Sequence, residues 1–297
     1  LISREKEFPI MSIKIHIPLA ERGVLAISGE PARDFLQGLI TNDIQKVSPS
    51  RAIYGALLTP QGKFLHDFFI VEHKDRFLLD CNAERMPDLI KRLTMYRMRS
   101  KVEITDESDK WDVGAMLPVG EMDAPGTTKT RFDGVSYVDP RHAGLGERTI
   151  RLVDEDDTFP ADVAQQDKNR ADYEAVRIAL GIPETGKDLI ADKSMPLESG
   201  FDELHGVDFE KGCYVGQEVT ARMKHRNLVK KRLFPVAIEG DVPAGTVVKS
   251  GDVDAGELRS AINGRGIALL RLDLAEKGGL MAGDAAVTPE KPDWAEF

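Results

Sequence analysis

Lys211 to Glu218 reads KGCYVGQE and places a thiol, an ammonium, an amide and a carboxylate within eight residues. Gly212 and Gly216 allow backbone conformations closed to other residues and a close approach to the main chain. Lys211 beside Cys213 would favour the thiolate, the form that attacks electrophiles and binds metals. The competing reading makes Cys213 a small buried hydrophobe and the glycines a turn into a helix that Gln217 begins. The residues alone leave both readings open.

Asp67 is the second group that needs an account. In the run Phe64 to Val71, alternation puts Phe64, His66, Phe68 and Ile70 on one face and Leu65, Asp67, Phe69 and Val71 on the other. Both faces are apolar, so the strand is expected to be buried, and its carboxylate must be hydrogen-bonded, paired or set against a ligand. A third feature follows the thiol motif. Arg222, Lys224, Arg226, Lys230, Lys231 and Arg232 occur with no acid among them. Such a run is either a solvated face or a local attraction for carboxylates or phosphates, as on an acidic partner or RNA, at residues 222–232.

The elements that must position these groups are legible as an α+β succession. Val24 to Ser28 is a short strand, and Pro31 opens a helix with Phe35, Leu36, Leu39 and Ile40 at helical spacing. Thr41, Asn42 and Asp43 close it. Ile53 to Thr59 and Phe64 to Val71 form a hairpin around Pro60-Gln61-Gly62. Phe77 to Asp80 is a further strand, and Arg85 to Met98 a helix whose Met86, Leu89, Ile90, Leu93 and Met95 are expected to fill core. Strands at Lys101 to Thr105, Trp111 to Leu117, Val135 to Val138 and Thr149 to Val153 follow, with a surface loop from Pro118 to Thr130. Asp172 to Leu180 is a helix stopped by Gly181 and Pro183. The pattern before Trp111 recurs after it, predicting two similar halves split near residues 106–111. From Leu233 short apolar runs separated by Gly, Pro and Asp predict a small antiparallel barrel. The expected division is a tag or disordered N-terminus over 1–11, an α+β domain of antiparallel sheets and helices over 12–230, and a β-barrel over 231–297.

Composition narrows the function classes. A chain of 297 residues can bury more than one core. Its net charge of -10 and pI near 5.2 argue against a general affinity for nucleic acid or anionic membrane. No apolar run approaches a membrane span. Residues 1–10, LISREKEFPI, lack the apolar core of a secretory signal, and Met11-Ser12 reads as a natural start, so the cytoplasm is the expected compartment. Cys81 and Cys213, far apart, suggest neither a disulfide framework nor a metal site. An iron–sulfur cluster needs about four protein ligands, so this chain is not expected to hold one alone. The six histidines are scattered, and no structural metal is expected.

KGCYVGQE followed by VTAR resembles the signature of the YgfZ-type folate-binding proteins, relatives of the glycine-cleavage T-protein that are linked to iron–sulfur cluster assembly and repair. The resemblance extends through Ile27 to Ile44, LLTPQGKFLHDF, YRMRSKVEITDES, DPRHAGLGER and RIALGIP, covering roughly residues 24–235. It implies a duplicated folate-binding domain followed by a β-barrel, and tetrahydrofolate or a derivative as ligand. Asn42, Tyr54, Asp67, Tyr173, Arg177, Lys211, Gln217, Glu218 and Arg222 become its expected contacts, with Cys213 and Asp67 as the groups that do chemistry. It implies a monomer, iron–sulfur clients or assembly proteins as partners, a link to tRNA modification, and a basic stretch able to take a polyglutamylated folate tail. Two positions depart from the T-protein pattern. His66 stands where that family carries the first of two acids, and Ala179 near where a glutamate recognises the pterin. An aminomethyl or one-carbon transferase, and a folate- or RNA-binding module without chemistry, are the alternatives. The departures count against the first, and Cys213 against the second.

Overall fold

The computed structural model describes residues 16–131, 134–153 and 163–296. The expected tag or disordered segment at 1–11 lies outside them. In chain order the elements are β1 (His16–Pro18), β2 (Arg22–Ser28), α1 (Ala32–Gln37), β3 (Ile53–Leu58), β4 (Phe64–His73), β5 (Arg76–Asn82), α2 (Met86–Arg97), β6 (Glu103–Asp106), β7 (Trp111–Met116), β8 (Thr128–Arg131), β9 (Gly134–Val138) and β10 (Glu147–Leu152). They continue with α3 (Val163–Ala179), α4 (Gln217–His225), β11 (Lys231–Ile238), β12 (Val247–Ser250), β13 (Val253–Ile262), β14 (Arg265–Arg271), α5 (Leu272–Ala275), β15 (Leu280–Ala282) and β16 (Ala285–Pro289).

Two five-stranded antiparallel sheets, β3-β4-β5-β2-β6 and β1-β7-β10-β9-β8, make the body, and β11-β14-β13-β12-β15-β16 closes into a six-stranded barrel. The fold is the expected α+β body followed by a barrel. Alternation from His66 to Val71 explains the layering, whereas Phe64 and Leu65, at the register shift opposite Leu57 and Leu58, lie on the faces opposite to those expected. Phe69 and Val71 join Tyr54, Tyr137 and Ile150 in a core that draws on both sheets. Phe68 and Ile70 face the opposite way and join Leu36, Leu89 and Leu93 of α1 and α2. The first sheet is therefore covered on both sides, as its unbroken apolar runs require.

Several features differ from the expectation, among them β8, which takes the end of the expected Pro118–Thr130 loop. α1 stops at Gln37 because Ile40 leaves the helix to bridge Leu57 of β3. α3 starts at Val163, nine residues before the expected Asp172, its first turns being too polar for an apolar period to mark. Met95, expected in the core, is 70% exposed: α2 turns it away from Leu89 and Leu93, which carry the buried face.

Barrel and body are tied by polar contacts. Trp294 Nε1 donates to the Leu180 carbonyl at 2.7 Å, and Arg232 of β11 pairs with Glu203. Arg177 of α3 reaches Ser260 of β13 at 3.4 Å and Asp188 at 2.6 Å.

Candidate functional site

The KGCYVGQE segment is clasped to the end of α1. Lys211 Nζ donates to the carbonyls of Gln37 and Ile40, both at 2.6 Å, and Gln37 Nε2 donates back to the Lys211 carbonyl at 3.0 Å. Thr41 Oγ1 donates to the Gly206 carbonyl at 2.6 Å, Asp208 N to the Thr41 carbonyl, and Asn42 Nδ2 to the carbonyls of Tyr54 and His205. Thr41-Asn42-Asp43 is thus a staple for the approach to the motif. Lys211, from the loop before α4, meets the end of α1 as a cation at a helix C-terminus does; its ammonium is committed to carbonyls rather than to the neighbouring thiol, which corrects the expectation that it activates Cys213. Burial pushes Lys211 down to about 8, against the pull of Asp43 and Asp208.

On this held segment Cys213 is exposed, whereas Cys81 is buried. Burial pushes the Cys81 thiol well above its ordinary range, and its Sγ lies 3.5 Å from Met86 Sδ. Of the two readings of Cys213, the buried hydrophobe fails on exposure. Gly216, with φ +85°, precedes α4, and an added Cβ there would meet the Thr59 carbonyl at 2.5 Å. Its lack of a side chain lets the β3–β4 turn and α4 touch. Gln217 Oε1 accepts from Tyr214 N at 3.3 Å, while Glu218 pairs with Arg222 one turn on, both exposed.

The other expected residues lie inside the body. Asp67 is 3% exposed and accepts from the Tyr54 hydroxyl at 2.9 Å and from Thr185 Oγ1. His66, on the opposite face, meets Asp88 of α2 at 2.9 Å, and burial lowers its pKa despite that partner. Tyr173 is buried, with its hydroxyl accepting from Arg148 at 3.4 Å. Arg177 is spent on Glu174, Asp188 and the Ile182 carbonyl at the barrel seam.

Sequence reasoning missed the ionic cluster between the sheets. Asp80 of β5 accepts from Arg22 Nε at 2.6 Å, Arg148 Nη2 at 2.6 Å and the Tyr137 hydroxyl at 3.0 Å. Burial would raise the Asp80 carboxyl, but Arg148 and Arg22 hold it below the usual range. Arg148 also lies over the Phe69 ring, 4.1 Å from its centroid, and Arg141 is locked to Asp139. The signal was present: Asp80 interrupts the apolar run FLLDC as Asp67 interrupts FLHDFF.

Tetrahydrofolate does not fit these residues as they stand. Asp67, Tyr54, Asn42, Tyr173 and Arg177 turn their polar groups to one another or to other protein groups. The cavity lined by Asn42, Lys46, Arg51, Tyr54, Pro125 and His205 holds about 230 Å³, below the roughly 300–1,000 Å³ of pockets that take drug-sized ligands. Burial, with Arg51, His142 and Lys46, lowers the His205 pKa. The basic stretch is partly neutralised across the fold, Lys224 by Asp202 at 2.7 Å and Arg232 by Glu203.

Comparison with known proteins places this geometry. The family model "GCVT N-terminal domain" matches residues 19–117, and "CAF17, C-terminal beta-barrel domain" matches residues 230–297. The chain is similar to the mouse "Iron-sulfur cluster assembly factor IBA57, mitochondrial", 36% identical over 92% of this chain and 83% of the relative. The human protein of that name is 32% identical over the same shares. The Mycosarcoma maydis homolog is 32% identical over 76% of this chain and 58% of its own length. The glycine cleavage system aminomethyltransferase T from Bartonella henselae has the same fold, with a TM-score of 0.73 and 14% identity, over 95% of this chain and 86% of that one. The curated relatives carry the IBA57 name, and of the expected YgfZ resemblance the matches bear out the T-protein-like domain with its C-terminal barrel. The relatives are named mitochondrial, which overturns the expected cytoplasmic location. The lack of an apolar core in residues 1–10 has no bearing on this, since mitochondrial import segments are amphipathic and basic.

Proposed function

The chain belongs to the family of the iron–sulfur cluster assembly factor IBA57, and from that membership we propose that it serves in assembling iron–sulfur clusters through the thiol of Cys213. The observation that carries this reading is the exposure of Cys213 on a segment fixed at Lys211, Thr41 and Asn42. A cluster requires about four protein ligands, and Cys81, the other cysteine, is buried. The cluster is therefore a substrate whose remaining ligands come from a partner protein, with Cys213 as a transient ligand. In the same reading residues 12–230 are the T-protein-like unit and residues 231–297 the barrel unit. Folate is not part of the reading, because its expected contacts already bond one another or other protein groups. The transferase alternative loses support for the same reason, with His66 committed to Asp88.

Replacement of the thiol tests it. In cells lacking the native protein, Cys213→Ala is expected to fold with an unchanged melting temperature yet fail to restore iron–sulfur enzyme activity, while Cys81→Ala restores it. Alkylation of the intact protein is expected at Cys213 well before Cys81. Full complementation by Cys213→Ala would remove the thiol from the function and leave KGCYVGQE as backbone architecture.

A further inference from the structure

The end of α2 combines exposed apolar side chains with a run of cations. Its inner face is core, with Leu89 and Leu93 fully buried, but its outer side exposes Met95 by 70%, Tyr96 by 40% and Met98 by 85%. From Leu89 to Val102 the sequence carries five cations, Lys91, Arg92, Arg97, Arg99 and Lys101, and no acid, in a chain of net charge -10. Arg92 pairs with Asp88 at 2.7 Å, while Lys91, Arg99 and Lys101 enter no ion pair among the described residues. Met98 caps the helix at φ 46°, ψ -110°, a conformation that costs a side-chain-bearing residue energy and marks sites where another constraint operates.

We propose that this turn is a docking surface for the acidic face of a partner protein that meets the cluster at Cys213, an inference that rests on the reading of that thiol given above. Met, Tyr and Arg are the residue types enriched in protein–protein interfaces, and complementary charge steers such encounters. An anionic membrane fits less well: α2 is anchored by its core face, and only its last turn presents apolar side chains. RNA fits less well on a chain this acidic. Location supplies the link to the thiol. α2 packs at β6, one edge of the first sheet, and Ile40 bridges β3 at the other edge. Val215 of the thiol segment packs on the same helix-covered face as Leu89 and Leu93. Five strands span about 19 Å, so one globular partner can cover both the α2 turn and the Cys213 segment.

The test uses the full chain in cells, with a photo-reactive benzophenone side chain at position 98. A protein adduct is expected, formed equally well in a Cys213→Ala background and lost with Arg99→Glu/Lys101→Glu. The captured protein, purified, should bind the unmodified chain at least tenfold more tightly than the charge-reversed one, with the difference shrinking as salt rises. Met95→Ser/Met98→Ser, which leaves the charges in place, should also weaken binding without lowering the melting temperature. An adduct with RNA, phospholipid or a second copy of this chain overturns the proposal, as does one indifferent to the charge reversal. The two readings fail separately: loss of activity in Cys213→Ala with no adduct at position 98 refutes the surface alone, while an intact adduct with full complementation by Cys213→Ala refutes the thiol alone.

Discussion

Asp67 and Cys213 are both chemically capable, and the fold gives them opposite employment. Asp67 has a hydrogen-bond donor on each oxygen and is sealed between the sheets, so it holds Tyr54 and Thr185 in place. Asp67→Ala would leave a tyrosine hydroxyl and a threonine hydroxyl buried without their acceptor. Each orphaned group costs about 1–3 kcal/mol, so chemical denaturation should show a loss of at least about 2 kcal/mol. Unchanged stability would mean that Asp67 is not a structural acceptor. Titration with reduced folates should give no saturable heat in the unmodified protein. Saturable binding abolished by Asp67→Asn would overturn the account of a self-satisfied interior.

At the scale of elements, the decisive device is the pair of glycines around Cys213, which differ although the sequence treats them alike. Both have positive φ, +94° at Gly212 and +85° at Gly216. An added Cβ at Gly212 meets nothing within 4 Å, so Gly212→Ala should cost only the left-handed conformation, about 1–2 kcal/mol. At Gly216 the same Cβ meets the Thr59 carbonyl at 2.5 Å and Leu58 Cβ at 3.0 Å. Gly216→Ala must therefore push α4 off the β3–β4 turn. Thermal unfolding should rank Gly216→Ala clearly below Gly212→Ala, and equal melting temperatures would refute that packing. The backbone also explains why Thr41-Asn42-Asp43 reads as a ligand site yet acts as a staple: short polar side chains at a helix end serve any nearby backbone groups, and here the motif loop supplies them.

For the molecule as a whole, the seam between body and barrel carries a pH dependence. Burial would raise the Glu184 carboxyl, but Arg177, Lys187 and Arg170 hold it at about 2, against an ordinary 4.5. Between those values the unfolded chain binds more protons than the folded one, so stability rises with pH there. The contribution is complete above about pH 4.5 and is lost as pH falls through about 2. Glu107, at about 2 through Trp111, Arg76 and Lys110 against the effect of burial, adds to the same window. Melting temperatures should fall from pH 5 to pH 2, with a shallower slope in Glu184→Gln. An identical slope would place the acid sensitivity elsewhere. Because Arg177 also touches Asp188 and Ser260, loosening this cluster should uncouple barrel from body and broaden the unfolding transition.

By itself the sequence determined most elements of the body though not β1 or β8, the burial of β4 on both faces and the barrel after Leu233, because alternation, glycine and proline act locally and the chain spells them out. It also marked Cys213 and Asp67, since a polar group in the wrong setting is visible without coordinates. Only the tertiary structure decided what each was for. Partners of buried charges come from distant strands: Asp80 finds Arg22 and Arg148 across the inter-sheet core, and Arg177 finds Asp188 and Ser260 at the barrel. Exposure was hidden for the same reason. Met95 has the helical neighbours of a core residue and Cys213 the composition of a turn, yet which side of α2 meets the sheet, and where the loop after Gly206 is fastened, depend on contacts between segments far apart in the chain.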